Sequence, residues 1–187
     1  MKLVMSSLVT LAAFTFLAST ASAEDQRKGD PYTLSECAIS SEALGSMGEP
    51  ITLIHDGREI KFCCSGCPPR FEKDPAQYLS KIDEKIIEQQ TSYYPLTTDV
   101  VTDAALGKDA VDFVYFNRLV RFANPDSVAK FEKDAATHLA KLDDAVIAKQ
   151  KDSYPLDACP IGGHKLGESG EPVNVVIANR LVRLCCE

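Results

Sequence analysis

Seven cysteines stand in this chain in two sets: Cys37 followed by Cys63, Cys64 and Cys67, and Cys159 followed by Cys185 and Cys186. Cys63 and Cys67 form C-x3-C, and Cys64 and Cys67 form C-x2-C. Closely spaced thiols at the end of a hairpin, joined by one distant thiol, are how small folds assemble a tetrahedral sulfur site. Thiolates are soft ligands that favour Zn(II), Cu(I) and related heavy metals over magnesium or calcium. Two other chemistries draw on the same residues. Cys64-Ser65-Gly66-Cys67 has the spacing of thiol–disulfide exchange, and in an oxidising compartment disulfides from Cys37 to the clustered thiols would staple the fold. Against exchange, no thioredoxin-like βαβ pattern precedes the motif, and Pro68-Pro69 is expected to break the chain where a helix start would lower a thiolate pKa. An odd number of cysteines leaves at least one thiol outside a wholly disulfide account.

Other candidate ligands carry weaker signals. His164 lies five residues after Cys159 and would complete a site of three cysteines and one histidine, but Glu42 holds the equivalent place beside Cys37. His55 adjoins the Asp56-Gly57 turn and is expected to face solvent. His138 is expected to pack on a helix, and Met47 to idle in a loop, although a thioether suits Cu(I). No Ser-His-Asp arrangement, phosphate loop or paired-carboxylate pattern occurs. The chain is therefore read as a binding protein rather than an enzyme, with a thiol–disulfide oxidoreductase as the runner-up.

The elements that must position these thiols recur. Tyr32-Thr33-Leu34 returns as Tyr94-Pro95-Leu96 and as Tyr154-Pro155-Leu156. The first and third copies run in register: Cys37 maps onto Cys159, Arg58 onto Arg180, and Cys63-Cys64 onto Cys185-Cys186. The second copy keeps Arg118 and Phe131-Glu132-Lys133-Asp134, echoing Phe71-Glu72-Lys73-Asp74. Self-similarity at a period near 60 predicts tandem small units, with boundaries at 24–92, 93–152 and 153–187. The third stops midway through the pattern, which suggests an incomplete site that hands metal on, recruits a second copy, or is a remnant.

Each complete unit reads as a loop, a β-hairpin and a C-terminal helix, an α+β fold of treble-clef-like form. The strands are expected at 51–55 and 58–62 around the Asp56-Gly57 turn. Asp74-Pro75 has the form of a helix N-cap, and Leu79, Ile82 and Ile86 fall on one helical face. Leu139, Leu142 and Val146 do the same in the second unit. A 60-residue unit is marginal by core burial alone, so a cross-link of about 2–4 kcal/mol for a disulfide, or roughly 10–16 for a structural zinc, would matter.

The second unit is an internal control. Asp99, Ala123, Asn124 and Ser127 replace Cys37, Cys63, Cys64 and Cys67, so the four thiols disappear as one set. Phe113, Tyr115 and Phe116 bring aromatic bulk to its hairpin, each ring able to bury about 150–250 Å². Asn124-Pro125-Asp126-Ser127 is expected to start a helix.

The order Cys37, Cys63 and Cys67, with Phe62 before and Phe71 after the pair, resembles the TRASH/YHS group of heavy-metal-binding domains. The resemblance covers unit 1 fully, unit 3 in its first half and unit 2 in scaffold only. It implies Cys37, Cys63 and Cys67 as metal ligands, with Cys64 an additional candidate, and it implies metal sensing, trafficking or resistance rather than catalysis.

Composition bounds the partners. Twenty Lys and Arg against 27 Asp and Glu give −7, the wrong sign for nucleic-acid backbone binding. Lys2, the apolar stretch from Leu8 to Ala18 and Ala21-Ser22-Ala23 read as a signal peptide cut after Ala23. The expected product is periplasmic, without a membrane span, and partnered by a heavy-metal ion and a metal efflux or trafficking protein. A dimer through unit 3 is a further expectation.

Overall fold

The computed structural model describes residues 27–168 and 170–186; the expected signal peptide lies outside them. The chain is an α+β array of small repeated units. The first holds β1 (Ile51–His55), β2 (Arg58–Phe62), α1 (Pro68–Phe71) and α2 (Pro75–Thr91). The second holds β3 (Val111–Tyr115), β4 (Arg118–Phe122), α3 (Asp126–Lys133) and α4 (Ala135–Gln150). The third holds β5 (Val173–Ile177) and β6 (Arg180–Leu184). Each strand pair is a separate antiparallel hairpin in the same register, Ile51 opposite Phe62, Val111 opposite Phe122 and Val173 opposite Leu184. Among the described residues no helix is long and apolar enough to cross a membrane.

Local chemistry explains these elements. The hairpin of unit 1 turns through Asp56 and Gly57 at φ values of 53° and 87°, the left-handed pair that matches strand twist in two-residue turns. A Cβ on Gly57 would also lie 2.7 Å from the Lys28 side chain, which would have to shift; Asn117 and Asn179 hold the same turn position in the other units. β2 alternates, burying Arg58, Ile60 and Phe62. Asp74 caps α2 by accepting from the Gln77 N–H at 3.3 Å, with Pro75 at the first helical position. The prolines at 68 and 69 do not break the chain: they open the one-turn helix α1, where a missing N–H costs nothing, and Cys67 takes its N-cap position.

Each long helix serves two cores. Ile82 and Ile86 of α2 close the core of unit 1 with Ile60, Phe62 and Phe71, while α2 also lies against β3 and β4 of unit 2. α4 repeats this against β5 and β6. The junctions are polar and hydrogen-bonded. Fully buried Gln90 donates to Asn117 O at 3.0 Å and accepts from the Leu119 N–H at 2.9 Å and from Asn179 at 3.1 Å. Gln150 does the same one unit on, donating to Asn179 O and accepting from the Leu181 N–H. Arg58 donates to Asn117 and pairs with Asp83 at 2.7 Å; Arg118 donates to Asn179 and pairs with Asp143 at 2.5 Å.

Removing one end of such a bond leaves its partner buried without water, at roughly 1–3 kcal/mol per group. Gln90→Ala should therefore lower the unfolding free energy by about 3 kcal/mol. Gln89→Ala, one residue away and half-buried, should cost less than about 1 kcal/mol. Urea unfolding of the two variants checks the contrast.

Candidate metal centre

The first cysteine sits in a loop built to present it. Cys37 N–H donates to Glu42 O at 2.7 Å, Ser41 N–H donates to Cys37 O at 3.1 Å, and an isolated bridge joins Glu36 to Ala43. Ala38 N–H donates to Lys61 O at 3.1 Å, which ties the loop to the end of β2. Cys63 and Cys64 follow directly on that strand. Cys67 comes next because its N–H reaches Cys64 O at 3.2 Å and its carbonyl accepts from the N–H groups of Arg70 and Phe71. From α2, Lys85 pairs with Glu36 and donates to Ser41 at 3.0 Å, holding the loop against the helix.

These elements bring Cys37, Cys63 and Cys67 together with all three sulfurs within 4.8 Å of one another. The Cys37–Cys67 separation is 3.7 Å and the Cys63–Cys67 separation 3.9 Å. Thiolates bound tetrahedrally to one zinc at about 2.3 Å stand roughly 3.8 Å apart, so the trio has the dimensions of one face of such a site. The three are 2–3% exposed. Cys64, half-buried, lies 3.7 Å from Cys67 and outside the mutual trio. All seven cysteines are free thiols.

The electrostatics are uneven across the cluster. Burial works against ionising Cys37, but hydrogen bonds from Ser40, Ile39 and Cys63 outweigh it and bring the thiol down to about 6. Burial, with Cys37 and Cys64 alongside, pushes Cys67 up to about 12. At Cys63 the Ser40 hydroxyl, 3.4 Å away, favours the thiolate, but burial and Cys37 carry the net shift upward. The Gly66 N–H and the Cys67 thiol draw Cys64 downward. A thiol favoured as thiolate beside thiols that would give up their protons to an incoming cation can serve a soft-metal ion.

Unit 2 fills the same place with a carboxylate. Fully buried Asp99, at the Cys37 position, accepts from the Val101 and Thr102 N–H groups at 2.8 and 3.1 Å and from the Ala123 N–H at 2.9 Å. Ala123 stands at the Cys63 position and buried Ser127 at the Cys67 position. Burial raises the Asp99 pKa, yet the Ser127 hydroxyl and these N–H donors more than offset it and hold the carboxyl below the usual range. The role of Asp99 was missed in the sequence; its signal was an Asp opening a turn onto the N–H groups two and three residues ahead. The aromatics expected there do pack: Phe113 and Tyr115 meet Phe131 edge-on at 6.3 and 5.2 Å, and Phe116 meets Tyr115 at 4.6 Å.

Elsewhere the placements differ. Cys159 is buried, Cys185 half-buried and Cys186 exposed; they are not a mutual trio like that of unit 1. The Gly162 N–H donates to Cys159 at 3.4 Å, and the Cys185 and Cys186 sulfurs are 3.8 Å apart. His55 does not face solvent freely. It is half-buried edge-on against Phe71 at 5.2 Å, drawn there because its hairpin face covers the aromatic core. His138 stacks on Phe131 as a packing residue, and Met47 is 64% exposed, apart from the sulfurs.

Fold and site thus define a small-unit α+β protein with a buried cysteine cluster able to hold a metal. Compared with protein-family models, characterised proteins and solved structures, the chain gives no match.

Asp99→Ala strands three backbone donors and should destabilise the protein by about 3 kcal/mol. Because the folded-state pKa of Asp99 is depressed, its contribution is complete above the ordinary value of 3.8 and is lost as the pH falls through the lower folded value. Denaturant unfolding at pH 7 and pH 3 should show a smaller acid loss in Asp99→Asn than in the parent chain.

Proposed function

We propose that this chain binds a soft heavy-metal ion, Zn(II) or Cu(I), through Cys37, Cys63 and Cys67, and serves in metal buffering, trafficking or resistance. The observation that carries the reading is the buried sulfur trio, spaced at 3.7 and 3.9 Å about Cys67 and built from a loop, a strand end and a helix start. Its joint replacement by a hydrogen-bonded carboxylate in unit 2 supports the same reading. Where the thiols are absent, another device ties the same loop to the same strand end. Cys64, 3.7 Å from Cys67, supplies a fourth sulfur. The cysteine order supports a place in the TRASH/YHS group. The signal-like start supports a periplasmic setting, where an efflux or trafficking protein would be the metal's source or destination.

A second reading is favoured by one observation. Cys64 is half-buried, drawn toward the thiolate and 3.7 Å from buried Cys67, the asymmetry a thiol–disulfide exchange pair uses. The two readings separate on metal content measured together with free thiols, on protein purified without oxygen or chelator. The metal reading expects at least one equivalent of zinc or copper and thiols that react only after chelation. Cys67→Ser should abolish that protection, and Cys64→Ser should keep the metal with weaker affinity. Metal-free protein with a Cys64–Cys67 disulfide that cycles with dithiothreitol would sink the proposal in favour of exchange.

A further inference from the structure

Unit 3 repeats the loop of unit 1 with two changes that face its sulfurs. In unit 1 the Ser40 hydroxyl stands 3.4 Å from Cys63 and fills the space beside it. The matching residue in unit 3 is Gly162, and its missing side chain leaves that volume open. A Cβ there would lie 3.5 Å from the Cys185 sulfur, 3.9 Å from the Cys159 sulfur and 3.3 Å from Cδ2 of His164. Two sulfurs and an imidazole therefore border one gap. The imidazole is the second change, since His164 stands where unit 1 has Glu42. The loop is folded as in unit 1: the Cys159 N–H donates to His164 O at 2.8 Å, and the Gly163 N–H donates to Cys159 O at 2.9 Å.

The gap belongs to a cavity of about 330 Å³ lined by the three cysteines, His164, Ile161 and Leu184. Its donors are sulfur and imidazole nitrogen in an apolar wall. Among the described residues no carboxylate lines it, and sulfur and imidazole donors suit a soft cation better than a hard one that needs oxygen ligands. The Cys185 sulfur lies 3.8 Å from that of Cys186 and faces the same gap beside Gly162 as the Cys159 sulfur. The Cys186 side chain is exposed, so it is free to rotate toward the other two.

We infer that unit 3 is a second soft-metal site, formed by Cys159, Cys185, Cys186 and His164 and open to solvent. The inference rests on the soft-metal reading of unit 1 and adds a contrast in access. Cys37, Cys63 and Cys67 are 2–3% exposed and Cys159 5%, but Cys185 is half-buried and Cys186 exposed, so an incoming ligand reaches metal in unit 3 from their side. Thiolate and imidazole bonds there can be replaced one at a time by the ligands of an acceptor. Unit 3 is the exchanging site and unit 1 the retaining one.

Cobalt(II) added to the reduced full-length chain without oxygen tests this through its sulfur-to-metal charge-transfer absorption. Two equivalents are expected, one of them released to EDTA at least about tenfold faster than the other. Cys185→Ser/Cys186→Ser should lose the fast equivalent alone, and Cys37→Ser/Cys63→Ser the slow one alone. His164→Ala, at an exposed residue, should weaken the fast site by more than about tenfold, beyond the usual cost of losing an outer-shell partner. It should also shift the ligand-field bands of that site. A single equivalent lost only with Cys37 and Cys63 would overturn this inference and leave the unit 1 reading intact. No bound cobalt at all would overturn both. A half equivalent with a doubled molecular mass would overturn a site within one chain, and an unchanged spectrum in His164→Ala would remove the imidazole from it.

Discussion

The structure depends on one tie, between the loop that precedes each hairpin and the end of the hairpin's second strand. A two-stranded hairpin is marginal by itself, and each hairpin here is an independent sheet. In units 1 and 2 that tie must be made across a short gap lined by the loop, the strand end and a following helix start. Unit 1 places three sulfurs in the gap, and unit 2 places one carboxylate facing N–H donors from both sides. The two solutions are electrostatically alike. Each concentrates negative charge in a buried pocket and balances it, by backbone dipoles in unit 2 and, in our reading, by a cation in unit 1. An uncompensated buried charge would be far costlier than either.

The second organising feature is the polar seam between units. Arg58, Gln90, Asn117, Arg118, Gln150 and Asn179 are buried or half-buried and joined by hydrogen bonds to one another and to turn carbonyls. Apolar surfaces alone would let one small unit slide on the next. Buried hydrogen bonds tolerate no such slip, because a displaced partner leaves an unsatisfied group. Asp30 extends the seam by accepting from the Ala178 N–H at 2.7 Å across nearly the whole described chain. The helix that closes the cysteine core of unit 1 is therefore fixed at its far end by unit 2, and the cluster is held on a braced frame.

Bracing bears on access to the thiols. Cys37, Cys63 and Cys67 pack in one buried core with Phe62, Phe71, Ile82 and Ile86. In unit 3 Cys159 is buried, but Cys185 is half-buried and Cys186 exposed.

The sequence alone determined the repeat, the exact strand limits of the hairpin around Asp56-Gly57, the Asp74 cap, the apolar faces of α2 and α4, and the identity of the thiols that could act together. These follow from local rules: turn residues that accept positive φ, caps that satisfy free N–H groups, and helical periodicity. It did not determine how Asp99 does the work of three sulfurs, since the donors at Val101, Thr102 and Ala123 converge only once β4 lies beside the loop. Nor did it show that Pro68 and Pro69 begin a helix that seats Cys67, or that His55 turns inward onto Phe71. The double role of each helix and the Arg–Asn–Gln seam were also invisible, because their partners lie 27 to 89 residues apart. Which sulfurs meet, and which remain open to solvent, was decided by how the units pack. Contact across such distances is set by three-dimensional closure and not by spacing along the chain.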